Sequence, residues 1–366
     1  MKKLILFVFS IYSLLSFSQD LVSTTPSNKN ALLEEFTAAG CGNCPMGHSI
    51  ATIIENENPG QIISIRYHHG GLANPPNEEI YDFRTDFSDA IAQQANAIGQ
   101  PLGSVNRHLF DGQTFTSQST GKWQESCLEI IAQEAIVNIG AIAIIDSNTN
   151  ELEITVELYY TGTQTASTNL LNIALLQNNI EAAQTAYSVP QPNDFLENGL
   201  YSHKHVLRHL ITGQWGFTID VSEGPFIRKK FNYNIPQQFR NIPVDLTNLE
   251  LAIFINEGNQ EVLNTISINP KFCPLETVSI QDSENIATKI YPNPANKNAT
   301  INIETKAKDI DQINIIDITG SILYQDNSFN EQTTLEIGSL NYKPGIYFVQ
   351  FIQNKNAISN EKLIIY

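Results

Sequence analysis

The residues best suited to chemistry are Cys41 and Cys44, in the run Leu32-Leu33-Glu34-Glu35-Phe36-Thr37-Ala38-Ala39-Gly40-Cys41-Gly42-Asn43-Cys44-Pro45. An apolar strand pattern ends in Cys-x-x-Cys, and a helix pattern starts straight after it, with Met46, Ile50, Ile53 and Ile54 at i, i+4, i+7 and i+8. This order predicts Cys41 at a helix N-terminus, where backbone N–H groups and the macrodipole favour a thiolate. Only the thiolate attacks a disulfide, and a second sulfur three residues on is placed to release the mixed disulfide. Three readings compete: a redox-active pair, an inert surface disulfide, and a zinc site. Zinc is the weakest, because Cys127 and Cys273 stand alone and supply no second close ligand pair.

The histidines are the other candidates. All seven lie between His48 and His209. His203 and His205 alternate on a predicted strand over 204–210 and its approach, so both point to one face, a spacing that suits a metal; His209 has the same parity. A solvated or aromatic-packed strand face is the competing reading. His68 and His69 end a predicted strand, where capping a loop is the simpler role, and His48 one turn past Cys44 is expected to face solvent. No Gly-x-Ser-x-Gly, His-Glu-x-x-His or phosphate-cradling glycine loop occurs. Hydrolases with those signatures are disfavoured, and no cofactor is expected.

The elements that must hold the Cys pair follow in order. A second apolar strand is predicted at Gln61–Tyr67, then a helix carrying Phe83, Phe87, Ala90, Ile91, Ala95 and Ile98, then Ile98-Gly99-Gln100-Pro101-Leu102-Gly103-Ser104-Val105-Asn106-Arg107. A helix pattern over Lys122–Ala135 closes the segment, with Cys127 on its apolar face; a buried thiol and a bridge to Cys273 both remain open. This arrangement resembles the thioredoxin fold. The resemblance implies that Pro101 is the cis-proline opening a strand that faces the Cys pair, an uncommon feature where it occurs. It also implies that Glu35, six residues before Cys41, is a buried acid shuttling a proton to the second sulfur. Gly40 and Gln100 depart from the usual residues on the substrate-facing side.

From Val137 the texture changes to strands: Val137–Ile145, Glu151–Tyr160, Leu170–Leu176, Lys204–Leu210, Phe226–Tyr233, Leu249–Ile255 and Val262–Ile268, separated by Asn-, Gly-, Thr- and Pro-rich turns. That count predicts an antiparallel β-sandwich. Within it, Leu176-Gln177-Asn178-Asn179-Ile180-Glu181, Tyr201-Ser202-His203-Lys204-His205-Val206-Leu207-Arg208 and Gly213-Gln214-Trp215-Gly216 resemble a signature of the outer-membrane-protein-28-related family, over about residues 30–272. That resemblance implies surface or outer-membrane location and assigns no settled activity. Beyond a polar break come Tyr291-Pro292-Asn293-Pro294, Ile316-Asp317-Ile318-Thr319-Gly320, Leu340-Asn341-Tyr342-Lys343-Pro344-Gly345-Ile346-Tyr347-Phe348-Val349 and Lys362-Leu363-Ile364-Ile365. These resemble the type A C-terminal sorting domain of the type IX secretion system. The resemblance implies recognition by that machinery, with cargo released or fixed to surface lipopolysaccharide.

Length, charge and ends fit this plan. The 366 residues are too many for one ordinary domain. Lys2 and Lys3, the apolar Leu4–Leu15 and the small residues near Ser16-Phe17-Ser18 read as a secretory signal. No other stretch is apolar for long enough to cross a bilayer as a helix. The formal net charge of −17 disfavours nucleic acid as a partner. Export permits disulfides, and Cys41–Cys44 is expected to pair.

The expected organisation is a signal peptide over 1–19, a thioredoxin-like α/β domain over 28–136, an antiparallel β-sandwich over 137–273, a linker over 274–288 and a small β-sandwich sorting domain over 289–366. The expected function is thiol–disulfide exchange on protein thiols or disulfides, in the oxidase or isomerase direction, by an exported protein of the outer membrane surface or extracellular space. Two alternatives stand beside it: a surface adhesion or nutrient-capture protein with a structural Cys41–Cys44 staple, and a metal-handling surface protein using His203 and His205.

Overall fold

The computed structural model describes residues 21–75, 80–163, 166–273, 288–305, 310–317, 321–327, 332–336, 342–353 and 356–366. The expected signal peptide, nearly all of the expected linker, and the motif residues 318–320 and 340–341 lie outside them. The chain divides into two compact units, Met1–Pro274 and Leu275–Tyr366.

The first unit begins with β1 (Ala31–Thr37), α1 (Cys44–Glu57) and β2 (Ile62–His68). Both strands are buried along their whole length, and their side chains alternate between two cores. Ala31, Leu33 and Ile62 pack with Ala51 and Ile54 of α1, while Leu32, Phe36, Ile63, Ile65 and Tyr67 face the opposite side. There they meet Ile91 of α2 (Ser88–Gln94). Next come β3 (Leu102–Val105), β4 (Ser117–Gln118) and α3 (Trp123–Ile131). Trp123, Cys127 and Ile130 of α3 close the α1 side. β1 runs parallel to β2 and antiparallel to β3, with Glu35 opposite both Arg66 and Gly103.

Strands then follow one another: β5 (Val137–Asp146), β6 (Glu151–Tyr160), β7 (Thr168–Gln177), β8 (Ile180–Ala182), β9 (Tyr201–His203), β10 (Val206–Leu210), β11 (Phe217–Asp220) and β12 (Phe226–Asn234). The last are β13 (Gln238–Phe239), β14 (Ile242–Pro243), β15 (Leu249–Asn256), β16 (Val262–Ile268) and β17 (Lys271–Cys273). Among the described residues the main sheet has the order β16-β15-β7-β10-β2-β1-β3-β4, with β11 also paired to β7. β10 joins β2 directly, Val206 opposite Arg66. A second sheet, β12-β6-β5-β17, lays Leu152, Ile154, Val156 and Leu158 against Ile173, Leu175, Leu251 and Ile253 of the first.

The sheet of β1, β2 and β3 continues past residues 136 and 137 through β10, β7, β15 and β16. Two expected elements are corrected. The helix expected from Phe83 to Ile98 covers only Ser88–Gln94. Phe83 is instead drawn into an aromatic cluster, Asn96 turns left-handed at φ 57°, and Ile98 is 91% exposed. The strand expected over 204–210 starts at Val206, because His205 sits at φ 51°.

The second unit is all-β. It comprises β18 (Thr288–Tyr291), β19 (Thr300–Thr305), β20 (Gln312–Asp317), β21 (Ile322–Asp326), β22 (Gln332–Glu336), β23 (Gly345–Gln353) and β24 (Asn356–Ile365). They form a β18-β19-β22 sheet and a β21-β20-β23-β24 sheet. Ile301, Ile303, Ile313, Ile315, Val349, Phe351, Leu363 and Ile365 make its core. Among the described residues, no helix is long and apolar enough to cross a membrane.

Candidate functional site

Cys41 and Cys44 are joined as a disulfide with Cα atoms 5.4 Å apart. Cys44 is the first residue of α1 and Cys41 lies just before the turn that leads into it, its carbonyl accepting from the Cys44 N–H at 3.2 Å. Both sulfurs lie inside a small apolar nest with Ala38 and Ala73; Cys41 is 3% exposed and Cys44 not at all. Pro101 follows a cis Gln100–Pro101 bond, and its ring packs beside Gly47, one turn along α1 from Cys44. A Cβ on Gly47 would come within 2.9 Å of that ring.

Two segments cover the disulfide. On one side the turn at Gly71–Ala73 brings the Leu72 carbonyl to the Gly40 N–H at 3.1 Å. A Cβ on residue 40 would fall 2.6 Å from that oxygen, which explains a glycine where the resemblance leads one to expect an aromatic residue. On the other side the chain after β8 runs along the Cys loop. Thr185 N–H donates to the Ala39 carbonyl and Tyr187 N–H to the Gly42 carbonyl, each at 2.8 Å. The Gln184 amide Nε2 donates to the carbonyls of Cys41 at 3.1 Å and Ala38 at 3.3 Å, and the Tyr187 ring lies over Gly42. This cover, about 145 residues away in sequence, had no local signal.

Beneath α1 lies a buried polar layer. Glu35 is 1% exposed and accepts from Arg66 Nε at 3.1 Å, while its second oxygen has no partner. Burial raises its pKa, against the pull of Arg66. Arg66 also donates to the Lys204 carbonyl at 3.2 Å. An arginine inside the apolar strand Gln61–Tyr67 was the available signal for this partner.

His48 turns inward rather than to solvent, its two ring nitrogens bonded to the Thr37 hydroxyl and the Tyr201 hydroxyl, each at 2.9 Å. His68 stacks on Phe83 at 4.7 Å with neither ring nitrogen partnered. Burial drives the pKa of His48 and His68 well below the ordinary value, and the nearby Arg66 guanidinium adds to the shift.

His203 and His205 do not share a strand face. His203 packs on Phe83 at 4.3 Å and is held neutral by burial, its pKa lowered to about 3. His205, beyond the strand break, bonds Glu250 at 3.0 Å and faces Glu55 at 3.8 Å. The pair is therefore split between an aromatic cluster and an ion pair. Among the described residues, no group of three His, Cys, Asp or Glu is placed to hold a metal ion. His209 stacks on Tyr233 at 4.9 Å, away from both. Cys127 is a buried free thiol, its pKa pushed up to about 12 chiefly by burial.

A mainly β first unit with a disulfide at a strand–helix junction, followed by an all-β second unit, defines a two-unit, β-rich protein. The chain belongs to the outer membrane protein Omp28 family, which matches residues 88–272, and residues 289–366 match the secretion system C-terminal sorting domain. The family and the sorting domain place the protein at the outer membrane surface or in the extracellular space, and the latter implies engagement with the type IX secretion machinery.

Among solved structures the chain is similar to HBP35 of Porphyromonas gingivalis, with 17% identity, 93% of this chain and 99% of that one covered, and a TM-score of 0.54. A domain of the outer membrane lipoprotein Omp28 from Porphyromonas gingivalis is 16% identical, covering 38% of this chain and 90% of that one, at a TM-score of 0.26. No curated protein matches the sequence.

Proposed function

We propose that the segment around Cys41–Cys44 is a thioredoxin-like module spanning about 28–136 and that it carries out thiol–disulfide exchange on other exported proteins. The observation that carries this reading is the disulfide at the junction of β1 and α1 with Pro101 packed against the same helix one turn on. The order β2-β1-β3 beneath it supports the same reading.

In the oxidising direction a substrate thiolate attacks the Cys41 sulfur and the Cys44 thiolate leaves. A second substrate thiol then displaces Cys41, so the substrate gains a disulfide and the pair gains two electrons and two protons. A further disulfide-bearing molecule restores the oxidised pair. Glu35, under α1 with one free oxygen, is the group proposed to exchange a proton with Cys44. The exposed Leu72, Tyr187 and Met46 flank the Cys loop and would meet an apolar partner segment.

The covering segments mean that exchange requires residues 184–187 to lift. The same cover favours a second reading, in which the disulfide is a staple and the protein is a surface binding module. The turnover of glutathione disulfide and of a reduced unfolded protein separates the two. Exchange predicts that Cys41→Ser abolishes turnover and Cys44→Ser accumulates mixed disulfides. Absence of turnover both in the wild-type protein and in a variant whose 184–187 segment is loosened by substitution would leave the staple reading.

A further inference from the structure

A pocket of about 340 Å³ opens between the 84–87 loop, β10 and the β13–β14 hairpin. Its floor holds Arg208, which is 3% exposed. One guanidinium nitrogen donates to the Phe239 carbonyl at 3.1 Å, while Nε and Nη1 have no acceptor. A buried cation without a bonded counter-ion is costly, so a negative group in contact with it is missing.

The other charges do not supply it. Arg84 and Arg240 are both engaged by Asp82, at 2.8 and 3.3 Å, and Arg240 also by Asp86 at 3.0 Å. Asp82 also acts on Arg208 and Asp89 on Arg84, yet no carboxylate bonds Arg208, which keeps two guanidinium nitrogens unpaired. Burial lowers the Arg208 pKa to about 10, which still leaves it charged at neutral pH.

The walls are aromatic. His209 and Phe239 lie nearly parallel, 19° apart with centroids at 6.2 Å, and Phe87 meets His209 edge-on at 5.3 Å. Arg208 itself lies over Phe239 at 5.4 Å. The pocket is held by its frame: Arg240 Nε donates to the Arg84 carbonyl at 2.8 Å, and the Asn241 side chain clamps Ile80 and Asp82 at 2.8 Å each. A cavity of this size falls at the small end of organic-ligand sites.

We propose that this pocket binds a small monoanionic carboxylate with a flat apolar body, its charge neutralising Arg208 and its ring lying against His209 and Phe239. The site is independent of the disulfide chemistry. Charge-assisted hydrogen bonds are about twice as strong as neutral ones, so a carboxylate should bind at least about tenfold tighter than its neutral amide.

The test is calorimetric titration of the full chain with 2-naphthoate, 2-naphthamide and inorganic phosphate. Saturable one-to-one binding of naphthoate, at least about tenfold tighter than the amide and tighter than phosphate, is the result expected. Arg208→Met should erase the preference for the acid. Should that variant fail to fold, contacts between naphthoate ring protons and the His209 ring, read by NMR on the unsubstituted protein, decide the location. Equal affinity for acid and amide, tighter binding of phosphate, no binding of naphthoate, or naphthoate contacts elsewhere would each overturn the proposal.

Discussion

Gln184→Ala is expected to speed reduction of the Cys41–Cys44 disulfide by a small thiol. Both sulfurs are buried, and the segment over them is held by Thr185 and Tyr187 N–H bonds at 2.8 Å and by the Gln184 amide, which reaches the Cys41 and Ala38 carbonyls at 3.1 and 3.3 Å. A reductant must wait for that segment to lift. If reclosing is fast, the reduction rate scales with the population of the open form.

Each neutral hydrogen bond contributes about 0.5–1.5 kcal/mol net, so losing the amide's two bonds to the Cys loop shifts opening by about 1–3 kcal/mol. That corresponds to a rate roughly 5- to 140-fold higher, at about 1.4 kcal/mol per factor of ten. The assay is the time course of thiol appearance under dithiothreitol, with circular dichroism confirming that the variant retains its fold. A folded Gln184→Ala protein reduced at the wild-type rate would refute the reasoning, because the amide would then contribute nothing to the barrier.

Other outcomes follow from the same geometry. His68 is buried neutral with no hydrogen-bond partner, near Arg66, His69, His203 and Arg208, so its folded pKa lies below its ordinary 6.5. Stability from keeping it neutral is therefore present above pH 6.5 and lost as pH falls below it, at about 1.4 kcal/mol per pH unit. His68→Phe, which preserves the stack on Phe83, should flatten the fall in urea-unfolding free energy between pH 6.5 and 5 by about that slope; an unchanged slope would contradict it. Gly40→Ala should cost about 1–3 kcal/mol in the same measurement, since its Cβ would press on backbone rather than on a mobile side chain. Removing residues 275–366 should leave the first unit folded but retained in the periplasm; arrival at the cell surface, or loss of the fold, would remove the sorting reading.

Features encoded over a few neighbouring residues were legible. The Cys-x-x-Cys between a strand pattern and a helix pattern marked the β1–α1 junction, because periodicity and the Cys spacing are local. Glu151–Tyr160 and Val262–Ile268 were readable as strands for the same reason. The ordered motifs after Tyr291 identified the sorting domain without any knowledge of its packing.

What depended on distant pairings was not legible. A strand pattern does not name its neighbour, so the joining of β10 to β2, which carries one sheet through residues expected to form two domains, came only from the fold. His203 and His205 share parity in sequence, yet one left-handed residue sends them to different surroundings, since parity holds only while the backbone stays extended. The cover over the disulfide brings 184–187 to 38–42, and the cationic pocket brings Arg84, Arg208 and Arg240 together. Sequence sets which groups are available; tertiary packing decides which of them lose water and which keep a partner, and that sets their chemistry.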